Sequence, residues 1–235
     1  MQLFYASLNE DSSAELFLDE IHHCLDVLRH KIGDKINITN GEGTICKAEI
    51  IFTNKKSVRL KIFEVNHTPL PFYHHISLNF GILKNMDRME WMVEKACEIG
   101  IGKIQAFVSK NCERKVINME RFQKIALSAM KQSNQAWLTK IEPLEKFSVL
   151  INQESANTNY FAHCYDTQLT HLFHVYNKEQ PAKIWIGPEG DFSPDEVELA
   201  KTKSVNEVSL GNTRLRTETA SIYALMACHL QHLTR

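Results

Sequence analysis

The sequence predicts an α/β protein built from a small N-terminal β-barrel and a larger domain in which strands and helices alternate. Three observations support this fold class. Before residue 70, apolar residues recur with a period of two between turn signals, as in short strands. The segment Pro69-Leu70-Pro71 is typical of a stiff connector. After it, helical periods alternate with short apolar runs. We therefore expect a domain at 1–70 and a second at 71–235.

The N-terminal part reads as an antiparallel β-domain. Ile36 and Ile38 alternate with polar neighbours, and the turn Gly41-Glu42-Gly43 follows. Segment 45–50 predicts the next strand, and segment 58–62 again alternates apolar and polar residues. We expect these strands to close into a barrel.

The C-terminal part predicts a mainly parallel sheet covered by helices on both faces. The expected strands are 76–83, 101–108, 160–165, 184–186 and 208–210, and the expected helices are 89–97 (ended by Gly100), 119–132 and 222–233. Ligands of such sheets bind beyond the carboxyl ends of the strands.

Composition indicates an ordinary globular protein. The chain has 235 residues, of which 43% are hydrophobic and 23% charged, and a net charge of −1, which argues mildly against nucleic acid as a partner. The six cysteines form no C-x-x-C pair, so no metal site is expected. With no signal peptide and no membrane-spanning apolar run, we expect a reduced, cytoplasmic protein.

The first candidate loop, 186–192, follows the predicted strand 184–186. Its two glycines around a proline make a rigid turn whose main chain a planar ligand can approach. Ser193 is expected as a helix N-cap, with Pro194 first in the helix and Glu196 completing a capping box. The pattern is equally consistent with a well-made strand-to-helix turn that binds nothing.

The second candidate loop, 210–220, leads into the apolar C-terminal helix. Thr217 is the expected N-cap, which would leave a helix N-terminus able to hold an anion. Arg214, Arg216 and Glu218 exceed what a cap requires, although a charged, solvated loop is the alternative. No G-x-G-x-x-G is present, which disfavours a Rossmann cofactor site.

These loops resemble the two signature segments of RsmE-type 16S ribosomal RNA methyltransferases of the SPOUT superfamily. The matching segments are 187–190, 210–211 and 215–220, supported by 23–29, 94–100 and 132–134. The chain departs from the family where Asp191 replaces a frequent glycine and where Lys131 and Gln135 flank segment 132–134.

The resemblance implies a PUA-like barrel followed by a SPOUT domain with a C-terminal trefoil knot. It implies S-adenosylmethionine as cofactor and N3 of a uridine in 16S rRNA of the small ribosomal subunit as methyl acceptor. The expected cofactor-binding residues are Ile186, Gly187, Pro188, Glu189, Gly190, Leu210, Gly211, Leu215, Arg216, Thr217, Thr219 and Ala220. A homodimer is also implied.

Three residues are candidates for catalysis. Arg216 is expected to hold the base or its developing negative charge, and Glu218 or Glu189 to accept the N3 proton. Either carboxylate could instead cap a helix or pair with an arginine. The expected RNA-binding residues are Arg29, Lys31, Lys84, Arg88, Lys95, Gln132 and Asn134.

Two other functions fit the same sequence. One is methylation of another RNA, such as transfer RNA or large-subunit RNA. The other is a non-catalytic RNA-binding or ribosome-assembly factor, against which the presence of both loops argues.

Overall fold

The computed structural model describes residues 2–153, 156–165 and 168–234. The chain forms two compact units: Met1–Leu70 with Leu127–Leu138, and Pro71–Ala126 with Thr139–Arg235. Within the described ranges, no helix is both long and apolar enough to cross a membrane.

The first unit is a closed five-stranded barrel. Its strands are β1 (Leu3–Leu8), β2 (Ser13–Leu16), β3 (Lys35–Thr39), β4 (Thr44–Asn54) and β5 (Ser57–His67), and a short helix, α1 (Leu18–His22), is followed by a π-helical turn at His23–Val27. The strands are ordered β1-β2-β5-β4-β3 around the barrel. The predicted barrel is thus confirmed. Its pairs are antiparallel except for β1 with β3, which is parallel.

The apolar residues that alternate with polar ones in the sequence point into the barrel and form its core. Ile36 and Ile38 on β3 and Val58 and Leu60 on β5 are buried in one apolar core. Burying such side chains stabilises the fold by about 1.5–3 kcal/mol each.

Segment Leu127–Leu138 packs with this barrel. The indole of Trp137 donates a hydrogen bond of 3.1 Å to the Thr68 carbonyl. A side chain at Gly43 would overlap that indole, and its φ of +88° also favours glycine. Lys131 forms an ion pair with the buried carboxylate of Glu20. Lys131 therefore compensates a buried acid.

The second unit contains a six-stranded, fully parallel sheet. Its strands are β6 (Ile76–Gly81), β7 (Lys103–Val108), β8 (Lys140–Lys146), β9 (Thr158–Ala162), β10 (Ala182–Ile186) and β11 (Asn206–Val208). They are ordered β11-β9-β10-β6-β7-β8. The predicted α/β class with a parallel sheet is confirmed.

Helices cover both faces of this sheet. The helices of this unit are α2 (Met86–Ile99), α4 (Phe147–Asn152), α5 (Leu172–Val175), α6 (Pro194–Lys201) and α7 (Thr217–Leu233), while α3 (Met119–Gln132) has residues 119–126 in this unit and 127–132 in the first. Helices α4 and α6 enclose an aromatic core that includes Phe107, Trp185 and Phe192. Helices α2 and α5 pack against α7, which lies on β6 and β10. Gly100 ends α2 at a φ of +107°, as predicted.

Strand order determines where a site can form. β6 and β10 are neighbours in the sheet but far apart in sequence. Strands β7 and β8 follow on the β6 side of this pair, whereas β9 and β11 lie on the β10 side. Such a switch point opens a crevice beyond the carboxyl ends of the strands. The loops after β6, β7 and β10 all begin there. The trefoil knot implied by the family resemblance stays a prediction.

Candidate functional site

The loops that follow β6 and β10 touch directly. A Cβ added at Gly81 would lie 2.5 Å from Pro188 Cδ and 2.6 Å from its nitrogen. Only glycine allows this approach, because backbone and a proline ring have no room to yield. The end of β6 therefore supports the first candidate loop.

The first candidate loop is a tight turn followed by a capped helix. The Asp191 amide donates to the Pro188 carbonyl at 3.0 Å, and Asp191 has a φ of +57°. Ser193 is the N-cap of α6, Pro194 is its first residue, and Glu196 completes the capping box, all as predicted.

Asp191 stabilises the left-handed turn with its own carboxylate. One oxygen accepts from the Phe192 amide at 2.8 Å and the other from the Cys164 amide at 2.9 Å. Acidic side chains tolerate this backbone region better than most because they can bond locally. The carboxylate thus stabilises a left-handed turn at the position where the resemblance led us to expect a glycine.

Asn111, in the loop after β7, holds the same turn from the other side. Its amide donates to the carbonyls of Gly190 and Asp191, each at 3.0 Å. Sequence reasoning missed this residue. The available signal was a polar segment directly after the buried strand β7, at the edge where the other loops begin.

Arg114, from the same loop, was also missed. Its guanidinium donates to the Lys84 carbonyl at 3.2 Å, while the Lys84 amide donates to the Glu189 carboxylate at 3.1 Å. In the described part of the chain, the buried Nε of Arg114 has no hydrogen-bond partner. Arg114 and the candidate acid Glu189 thus each bond to the main chain of Lys84, one at its carbonyl and the other at its amide.

Thr217 connects the second candidate loop to the first. Its buried hydroxyl donates a 2.8 Å hydrogen bond to the Gly187 carbonyl. The prediction that Thr217 caps α7 is wrong: Arg216 occupies the N-cap position without a side-chain bond, and Thr217 is the first helical residue. The hydroxyl goes to the carbonyl because a buried acceptor across the loops would otherwise stay unpaired.

The rest of the second candidate loop consists of accessible main chain and of two partly buried leucines. Gly211 has a φ of +112°, and a Cβ there would meet no atom within 4 Å. Leu210 and Leu215 are half-buried, whereas Ile186 is buried in the core. The strand before this loop ends at Val208, two residues before the predicted end.

The candidate catalytic residues differ in their surroundings. Arg216 is exposed, and its side chain makes no ion pair or hydrogen bond with the residues described. Glu218 is 9% exposed, with one carboxylate oxygen 3.8 Å from Arg88 Nε. Glu218 therefore pairs with an arginine, one of the two alternatives left open by its sequence.

A cavity of 380 Å³ opens at the start of α7. Its lining residues are Asn85, Asp87, Arg88, Trp91, Glu218 and Thr219. It brings together predicted catalytic, cofactor and RNA-binding residues of the second unit. Ala220, the residue after Thr219 in α7, is buried.

The expected RNA-binding residues fall in both units. Arg29, Lys31, Gln132 and Asn134 are exposed in the first. In the second, Lys84 pairs with Glu113 at 2.9 Å, Arg88 with Glu218, and Lys95 with Glu94 and Glu98 at 2.7 and 2.9 Å. The Lys84–Glu113 pair is exposed on both sides, and a pair of this kind is worth under about 1 kcal/mol, whereas the Glu218 carboxylate is buried. No group of three metal-ligating side chains occurs among the residues described.

Comparison with protein families identifies the class. The model of an RNA methyltransferase domain matches residues 69–229, and that of an RNA methyltransferase PUA domain matches residues 19–63. The chain is therefore an RNA methyltransferase whose barrel is PUA-like.

Individual relatives narrow this class. The ribosomal RNA small subunit methyltransferase E of Rickettsia conorii is 30% identical over 95% of this chain and 92% of its own. This chain belongs to that family.

Solved structures agree. A probable rRNA-methyltransferase from Porphyromonas gingivalis superposes with a TM-score of 0.90 at 36% identity, covering both chains completely. A ribosomal RNA small subunit methyltransferase E from Neisseria gonorrhoeae, bound to S-adenosyl methionine, gives 0.84 at 25% identity and covers 98% of this chain and 97% of its own.

Proposed function

We propose that this protein transfers a methyl group from S-adenosylmethionine to N3 of a uridine in 16S rRNA of the small ribosomal subunit. The observation that carries the proposal is the joined pair of strand-end loops, in a chain whose family relatives are small-subunit rRNA methyltransferases. The reaction would take place in the cytoplasm, where small subunits are.

The loops fit the cofactor in three respects. The main chain at Gly211 is open, since no atom would lie within 4 Å of an added Cβ. Leu210 and Leu215 are only half-buried, which leaves apolar surface for an adenine ring. Segment 187–190 turns tightly and is fixed by Asn111 and Thr217.

The residues proposed to hold the cofactor all lie on or beside these loops. They are Ile186, Gly187, Pro188, Glu189, Gly190, Leu210, Gly211, Leu215, Arg216, Thr217, Thr219 and Ala220. When bound, S-adenosylmethionine supplies an electrophilic methyl group on a cationic sulfur. The loops contribute by fixing its orientation toward the acceptor, because correct positioning removes much of the barrier to a displacement reaction.

Uridine N3 must lose a proton as it accepts the methyl group. Arg216 is proposed to stabilise the negative charge that develops on the base, since its guanidinium has no competing partner among the described residues. Glu189 is the better placed proton acceptor because it is exposed and held by the Lys84 amide. Glu218, which is buried and paired with Arg88, is the second candidate.

RNA is proposed to contact exposed cations of both units. Arg29 and Lys31, with Gln132 and Asn134, would serve from the barrel unit. Lys84, Arg88 and Lys95 would serve from the second unit by exchanging carboxylates for phosphates. A substrate assembled into a ribosomal subunit would lessen the need for a basic surface, which suits the net charge of −1.

A homodimer is proposed through helix α7. Tyr223, Met226, Leu230 and Leu233 recur at helical spacing on one face and are 44%, 39%, 46% and 77% exposed. An exposed apolar stripe of this kind marks a protein interface more often than free surface. Light scattering would test it: Leu230→Glu is expected to yield monomers, and a monomeric parent protein would refute the proposal.

The test of function is methyl transfer from labelled S-adenosylmethionine to small subunits that lack the modification. Nucleoside mass spectrometry is expected to detect 3-methyluridine with the parent protein and at least tenfold less with Arg216→Ala. Arg216→Lys, which keeps the charge, should retain more activity than the alanine variant.

Calorimetry with S-adenosylmethionine separates the possible failures. Binding without methylation of small subunits, but with methylation of another RNA, would refute the substrate and keep the enzyme class. A folded protein that neither binds the cofactor nor methylates any RNA would refute the proposal as a whole.

A further inference from the structure

A second cavity lies in the second unit, away from the loops described above. It measures 340 Å³ and is lined by Asn79, Lys103, Gln105, Glu142, Pro143, Glu145, Leu150, Gln153 and Lys183. These residues come largely from β6, β7, β8 and β10, with Leu150 contributed by α4. Lys183 precedes Gly187 by four residues, which is about 13 Å along a strand. A ligand here would leave the candidate cofactor loops free.

The wall of this cavity contains an unsatisfied amide. Asn79 is 2% exposed, and its Nδ2 donates to no acceptor among the described residues. Its cross-strand neighbour Gln105 shows the contrast, because that amide donates to the Pro143 carbonyl at 3.1 Å. Buried amides are nearly always paired. The Asn79 donor is therefore available to an acceptor that enters the cavity.

A lysine without a carboxylate partner faces the same space. Lys183 pairs with Ser77, two residues before Asn79, in the parallel register, so both side chains lie on one face of the sheet. In the described ranges Lys183 has no ion pair, and burial together with nearby Lys103 lowers the pKa of its amine. The charged form of a lysine that is partly desolvated and lies near another positive charge is stabilised when an anion binds beside it.

The two glutamates that line the cavity already have partners. One Glu142 oxygen contacts Lys103 at 3.3 Å and Lys140 at 2.9 Å. Glu145 accepts a hydrogen bond of 2.7 Å from the Lys146 amide. Among the described residues neither carboxylate forms an ion pair with Lys183, so its ammonium has no close counter-charge and lies beside a free amide donor.

We propose that this cavity binds an oxyanion, a phosphate or carboxylate group whose oxygens accept hydrogen bonds from the Asn79 amide and the Lys183 ammonium. A cation would be repelled by Lys183, which has no acidic partner among the described residues, and a wholly apolar ligand would leave both donors unpaired. The anion has two sources: a free small molecule or a backbone phosphate of RNA. The site does not depend on the proposed methyl transfer.

The test is equilibrium dialysis with inorganic phosphate and with acetate, combined with NMR of ¹⁵N-labelled asparagine side chains. We expect saturable binding of at least one of the two anions and a matching shift of the Asn79 amide resonances. Lys183→Met keeps the aliphatic chain and should weaken binding at least tenfold. Lys203→Met, an exposed lysine on the same unit, should leave binding unchanged.

Asn79→Leu provides a second, independent variant. It replaces an unpaired buried amide by an apolar group of similar size, so it should fold with at least the parent stability while binding is lost. Displacement of the anion by a short oligoribonucleotide, with the same Asn79 shift, would identify RNA phosphate as the source. Failure to displace would identify a free small anion. If neither anion binds, or if Lys183→Met binds as well as the parent, the proposal is overturned.

Discussion

Removing the hydroxyl of Thr217 should loosen the candidate site without disturbing its packing. Thr217→Val preserves shape but deletes the donor to the Gly187 carbonyl. Thr217 is 4% exposed and Gly187 is buried, so water cannot easily replace the bond. Leaving a buried acceptor unpaired costs about 1–3 kcal/mol.

The same bond connects the two loops proposed to hold the cofactor. Without this bond the two loops must be ordered when the cofactor binds, and we take about 1–2 kcal/mol as the free-energy cost of that ordering. This cost raises the Kd for S-adenosylmethionine about 5- to 30-fold. Thr217→Ser is the matched control, because it keeps the hydroxyl and loses only a methyl group, worth about 0.8 kcal/mol. The serine variant should therefore be slightly less stable than the parent but bind the cofactor normally.

Urea unfolding at fixed protein concentration measures the stability, and calorimetry measures the affinity. Both variants must be compared at one concentration, since the stability of the proposed dimer would depend on it. A valine variant with parent affinity would refute the view that this bond orders the loops. A serine variant as impaired in binding as the valine variant would refute it as well, because packing would then be the cause.

Three further predictions concern other parts of the second unit. Gly81→Ala forces a Cβ against Pro188 and should destabilise the protein by about 1–3 kcal/mol in urea unfolding; an unchanged midpoint would contradict the close approach. Cys164 is the exposed cysteine, the other five being buried, so iodoacetamide should label it first. Burial and the Asp191 carboxylate raise the pKa of this thiol, so Asp191→Asn should speed labelling, and a slower reaction would contradict this. Burial lowers the pKa of His229 from 6.5, so its protonation favours the unfolded state and the stability falls as the pH drops below about 6.5. His229→Gln should make this pH dependence less steep in unfolding experiments. An equally steep profile would contradict the prediction.

The fold could be predicted largely because its signals are local. Alternation at Ile36–Ile38 and Val58–Leu60 places these side chains in the barrel core. Gly100 and Ser193 end and begin helices through their own backbone and neighbours. The return of Leu127–Leu138 to the barrel unit has no such signal. It depends on contacts such as Trp137 with Thr68, which join residues far apart in sequence.

The site was predictable only in part for the same reason. Loops 186–192 and 210–220 could be predicted because glycines and the start of a helix mark both of them in the sequence. The role of Thr217 was mistaken because a threonine before an apolar helix also suits an N-cap, and its true partner lies 30 residues away. Asn111 and Arg114 carry no motif of their own, and only the strand order brings them to the edge where β10 ends.

The contacts of the site suggest why so many polar residues follow these strands. Asn111 donates to carbonyls of the first loop, Thr217 donates to Gly187, and Glu189 accepts from the Lys84 amide. In each case a side chain satisfies a backbone group of another loop, because irregular main chain here has no ladder or helix to pair with. A site formed by main chain therefore requires side chains that hold its loops. Substituting those side chains should impair binding even where the cofactor is never touched.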